Sequence, residues 1–124
     1  MSASAVFMMI TGILATFLPQ EILGVFGSPE SDPVVLIIQI CGALYLGFAM
    51  LNWMAKGNLI GGIYSRPVAM GNFLHFTIVA AALLKLLLKG QQITLVLGGF
   101  VLFYLIFAVW FGMILFGNPL RENQ

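Results

Sequence analysis

The chain has 124 residues, 61% of them hydrophobic and only 7% charged, with a mean hydropathy of +1.09. Soluble domains are about 45–50% apolar and about 25% charged, so a soluble fold of this size could not hide so much apolar surface. The same figures exclude disorder, and five basic against four acidic residues, a net charge of +1, leave no basic field for nucleic acid.

Crossing about 30 Å of hydrocarbon as a helix takes about 20 mostly apolar residues. The first candidate span is residues 3–18, which ends at Pro19-Gln20-Glu21 and is short. It lacks the basic leader and small-x-small cleavage site of a signal peptide, so it reads as a retained first span. The stretch Gln20-Glu21-Ile22-Leu23-Gly24-Val25-Phe26-Gly27 is too apolar for a free loop. It is expected to lie along the interface as a short amphipathic turn, with Ile22, Val25 and Phe26 dipping into lipid. Ser28-Pro29-Glu30-Ser31-Asp32-Pro33 then reads as a solvated turn.

The second span, residues 34–55, is interrupted only by Gln39 and Asn52. Ala43 and Gly47 form a small-xxx-small pair that permits close helix approach. The third, residues 67–88, opens on Pro67, whose missing N–H suits a first helical turn, with Ser65 as its cap. The fourth, residues 93–116, stops at Gly117-Asn118-Pro119. Phe100, Phe103, Phe107, Trp110 and Phe111 follow three-and-four spacing along it, and Gly98-Gly99 permits close contact near its start. None of these runs alternates apolar and polar as barrel strands do. The expectation is an all-α, integral membrane four-helix bundle forming one domain over residues 1–124.

Lys56, Arg66 and Arg121 fall on one side of this topology, and Lys85 and Lys89 on the other. Counting Lys and Arg alone places both termini in the cytoplasm of a four-span cell-membrane protein.

Polar groups at membrane depth are costly without partners, so they are the places to look for function. Asn72 and His75, three apart on the third span, share a face, and antiparallel pairing of spans two and three would bring Asn52 and Trp53 to a similar depth. With Lys56, Tyr64 and Arg66 from the connecting segment, these residues make a candidate pocket for the head group of an anionic lipid or a quinone. In structural terms, Lys56 and Arg66 are interfacial anchors, Trp53 and Tyr64 belt aromatics, and Asn52 and Gln39 interhelical hydrogen-bond glue.

All four acids lie outside the spans, so no carboxylate is available to a proton relay through His75. The single cysteine, Cys41, excludes an intrachain disulfide, and the single histidine excludes a multi-histidine metal site or a bis-histidine haem within the chain. No acyl-transfer triad, phosphate loop or zinc motif occurs, so neither enzyme activity nor a cofactor or metal is expected.

The stretch Asn52-Trp53-Met54-Ala55-Lys56, then Gly61-Gly62-Ile63-Tyr64-Ser65-Arg66-Pro67, Asn72 and His75, resembles small bacterial four-span proteins with a DoxX-like layout. The resemblance implies a four-helix bundle in a bacterial inner membrane. DoxX proper carries charged residues around its first span that this chain lacks, so no functional residue is carried over. Two functions are expected from the residues: an accessory subunit packing against a larger membrane complex or itself, or a binder or carrier of a lipid or quinone-like molecule. Membrane lipids are partners in either case.

Overall fold

The computed structural model describes residues 1–57, 65–90 and 94–117. Among them the fold is all-helical: α1 (Ser2–Phe17), α2 (Pro19–Val25), α3 (Asp32–Ala55), α4 (Ser65–Leu88) and α5 (Leu95–Phe116). Helices α3, α4 and α5 are each long and apolar enough to cross a membrane, the character of a membrane protein. The chain divides into two compact units, Met1–Gly57 and Asn58–Gln124.

In the first unit, α1 stops because Pro19 disfavours helical geometry at the residue before it, and Leu18 sits at φ −128°, ψ 48°. Pro19 then opens α2, where its missing N–H costs nothing, and the chain bends by 100° between the two helices. The segment expected as an amphipathic turn is therefore a regular helix of seven residues. It ends in a Schellman motif: the Gly27 N–H donates to the Gly24 carbonyl at 3.2 Å, and the Ser28 N–H to the Leu23 carbonyl at 3.0 Å. Gly27 takes φ +61°, a conformation that favours glycine. Asp32 and Pro33 start α3, the carboxylate suiting the positive end of the helix dipole.

Helices α1 and α3 run antiparallel, with Ser4 facing Asn52 and Thr16 facing Gln39. Their backbones touch where two glycines meet. A Cβ on Gly12 would lie 2.9 Å from the Gly42 carbonyl oxygen, and one on Gly42 would lie 2.7 Å from the Thr16 nitrogen. The expected Ala43–Gly47 pair is not what brings α1 and α3 together. Both residues are exposed, and nothing among the described residues comes within 4 Å of a Cβ on Gly47. The side of α3 that meets α1 is set one residue earlier, by Gly42, Ala49 and Asn52.

In the second unit, α4 begins at Ser65, earlier than the expected 67, because proline is tolerated anywhere in a first turn. Its C-terminus closes on Gly90 at φ +79°, whose N–H donates to the Leu87 carbonyl at 3.1 Å. Helix α5 begins at Leu95 instead of 93, since Thr94 caps it: its Oγ1 accepts from the Leu97 N–H at 3.3 Å. Ile93 lies outside the described residues, as do Asn118 and Pro119 of the expected stop.

Ala69, Asn72, Phe76 and Ala80 of α4 pack against Leu97, Val101, Tyr104 and Phe111 of α5. The expected aromatic stripe on α5 divides, with Phe107 and Phe111 stacking on Phe76 at 4.9 and 5.7 Å while Phe103 and Trp110 face outward. Nothing among the described residues comes within 4 Å of a Cβ on Gly99. A close approach in α5 occurs at Gly112, where the Phe73 ring rests 3.2 Å from the place of a Cβ.

The glycine contact gives a direct test. Gly42→Ala is expected to cost about 1–3 kcal/mol, because the new methyl meets α1 backbone that cannot move aside. Gly47→Ala is expected to be neutral or slightly stabilising, since alanine is the better helix former. Reversible unfolding in mixed micelles, comparing both variants with the parent chain, measures the difference.

Candidate functional site

Asn52 lies in the last turns of α3 and is fully buried. Its amide Nδ2 donates to Ser4 Oγ at 3.3 Å and contacts Met8 Sδ at 3.6 Å, both on α1. Ser4 is itself buried, and its hydroxyl donates to the Met1 carbonyl at 2.8 Å. A relay of polar groups thus runs from α3 through a hydroxyl to the first carbonyl of α1.

A second polar link joins the other end of α1 to α3, where Gln39 Nε2 donates to the Thr16 carbonyl at 3.4 Å. The neighbouring Thr16 Oγ1 is buried and makes no hydrogen bond among the described residues.

Trp53 and Lys56 also belong to the C-terminal end of α3, on its exposed side. The Lys56 ammonium sits 3.1 Å over the centroid of the Trp53 ring. A cation–π contact at an exposed site stabilises by about 0.5–1 kcal/mol. It holds the charged tip over the indole instead of letting it extend freely.

Arg66 lies in the first turn of α4 and is exposed. Asn72 is fully buried and donates to the Val68 carbonyl of its own helix at 2.8 Å. His75 is half-buried, edge-on to Phe76 with ring centroids 5.3 Å apart and tilted against Tyr104 at 5.8 Å. Phe76 is the hub of the aromatic cluster, and Tyr104 joins it at 5.4 Å. Tyr64 lies outside the described residues.

The six described candidate residues therefore divide between the units: Asn52, Trp53 and Lys56 belong to the first, and Arg66, Asn72 and His75 to the second. Among the described residues no group of three or more His, Cys, Asp or Glu comes together in a way that could hold a metal ion.

Ser4, Met8 and Tyr104 did not stand out in sequence. A signal for the first two was present, since Ser4, Ala5, Gly12 and Ala15 are small residues on one side of an otherwise bulky helix. That side is the one buried against α3. Tyr104 was hidden among phenylalanines of similar spacing.

Comparison with known protein families, curated proteins and solved structures finds no match to this chain.

The Ser4–Asn52 contact makes a measurable prediction. A double-mutant cycle over Ser4→Ala and Asn52→Ala is expected to give a coupling energy of about 0.6–1.7 kcal/mol, the range of interhelical hydrogen bonds in membranes. Unfolding in micelles reads it, and additivity would mean the bond contributes nothing. In the second unit, Phe76→Ala is expected to destabilise several times more than Phe103→Ala, because only the first leaves a cavity inside the aromatic cluster.

Proposed function

We propose that this chain is a non-catalytic, multi-pass membrane protein acting as an accessory or structural subunit, its helices packing against a larger membrane complex or against further copies of itself. The observation that carries the reading is that polar side chains of α3 and α4 make hydrogen bonds to the protein's own helices. Asn52 bonds across to Ser4, Gln39 to the Thr16 carbonyl, and Asn72 to its own helix. Groups used in this way need no ligand to explain their burial. Outside them, α3 and α5 present aliphatic and aromatic side chains such as Leu36, Ile40, Leu44, Ile106, Val109 and Trp110. Such surfaces suit lipid or neighbouring helices.

In this reading α1 is the fourth membrane helix, shorter than the others, and the DoxX-like layout of four helices applies. Lys56 and Arg66 lie on the cytoplasmic side with both termini. No enzyme activity, cofactor or nucleic acid forms part of it.

The second reading is a binder or carrier of a lipid or quinone-like molecule, contacted by the polar residues that the sequence offers for it. The half-buried His75 ring against Tyr104 and Phe76 favours it, since rings packed in this way offer a flat wall to a ring or chain.

Native mass spectrometry of the protein released gently from its own membrane separates the two. The subunit reading expects release in an assembly of fixed protein stoichiometry. A monomer carrying a discrete lipid-sized adduct, lost in the His75→Ala and Arg66→Ala variants, would instead establish the binder.

A further inference from the structure

The sixteen residues of α1 make a rod of about 24 Å, against about 36 Å for the twenty-four of α3. The antiparallel register fixes where the difference falls. Ser4 pairs with Asn52 near one end, and Thr16 meets Gln39 and Gly42 near the other. Residues 32–38 of α3 therefore continue about 10 Å beyond the last turn of α1. Five of them, Val34, Val35, Leu36, Ile37 and Ile38, are aliphatic. The break at Leu18–Pro19 thus stands level with apolar α3 and short of where α3 reaches its polar residues.

Several of the backbone groups freed at this break find partners within the protein. In lipid every freed carbonyl and N–H needs an internal partner. Pro19 has no N–H to satisfy, the Leu18 N–H reaches the Leu14 carbonyl at 2.8 Å, and the Leu18 carbonyl accepts from Ile22 at 3.2 Å. The Thr16 carbonyl, in the last turn of α1, accepts from Gln39. At the far end of α2, the Schellman motif occupies the Leu23 and Gly24 carbonyls.

The 100° bend turns α2 across the axis of α1, which is close to the membrane plane if α1 stands along the normal. Leu23 is buried, while Phe17, Val25 and Phe26 are 72%, 54% and 48% exposed. Ile13 and Leu14 of α1 and Leu36 and Ile37 of α3 are exposed as well.

We infer that α2 is an in-plane membrane helix set below the head groups, with Val25 and Phe26 inserted among the acyl chains of the leaflet on the side of residues 19–33. The occupant of its open face is lipid. Acyl chains beside α1 meet an apolar length of about 24 Å, so this leaflet is compressed next to a neighbour of ordinary length. The inference rests on the reading of α1 as a membrane helix, and the test separates the two.

Single cysteines at positions 10, 26 and 30, each introduced into a Cys41→Ala chain, are spin-labelled in phosphatidylcholine–phosphatidylglycerol vesicles. Power saturation then gives the ratio of oxygen to nickel-chelate accessibility at each site. Ile10 lies mid-way along α1 and is exposed, and Glu30 is in the polar link. The expected result is a ratio for Phe26→Cys several-fold above that for Glu30→Cys and close to that for Ile10→Cys. A ratio at 26 equal to that at 30, with 10 still high, overturns the inference and leaves the helix α1 in the membrane. Low ratios at both 10 and 26 remove α1 from the bilayer and the inference with it. Poor access of both reagents at 26 means that protein covers α2, which also overturns it. Val25→Cys reports the same face where Phe26→Cys fails to insert.

Discussion

The contact between Gly12 and Gly42 sets the geometry of the first unit. Where the facing residues are glycines, the backbones come so close that a Cβ on either one would lie within 3 Å of the other helix, and dispersion acts over a close surface. In an apolar solvent this matters more than in water, because lipid is as welcoming to leucine as another helix is. Close fit and hydrogen bonding then carry the association. The Ser4–Asn52 bond lies at one end of this contact and the Gln39–Thr16 bond at the other, so polar links hold the register that the glycines permit.

The second unit solves the same problem by another route. Its helices are kept together by aromatic rings, with Phe76 stacked on Phe107 and Phe111 and flanked by Tyr104. A close approach there, at Gly112, admits the flat ring of Phe73 and not another backbone. Two ways of filling the space between helices thus occur in one short chain, small residues with hydrogen bonds in one unit and stacked rings in the other.

The polar residues illustrate how far chemistry follows from position. Asn52 and Asn72 look alike in sequence, as single amides in apolar helices, yet one bridges to a neighbouring helix and the other returns to its own backbone. Lys56 and Trp53 were read separately as anchor and belt aromatic, and their contact joins them. The two buried asparagines each gain a partner, as burial away from water requires. These assignments bear on function because a side chain already committed to packing has less to offer a ligand.

Composition alone determined that the chain is apolar enough for a membrane, and the length of its apolar runs made it helical and located its long helices to within a few residues. Those properties are local, since helix formation in hydrocarbon depends on the backbone satisfying itself and on how many apolar residues follow one another. Proline and glycine likewise marked most helix ends in advance, because they act on their own dihedral angles and those of a neighbour. Which face of the long helices α3 and α5 turns inward was decided only in three dimensions. A helix that is apolar all round carries no amphipathic signal, so Gly42 rather than Gly47, and Tyr104 rather than Phe103, could be assigned to the interior only once the opposing surface was present. The same reason hid the partners of Asn52: a hydrogen bond between residues 48 apart is a property of the packed pair, and neither sequence neighbourhood contains it.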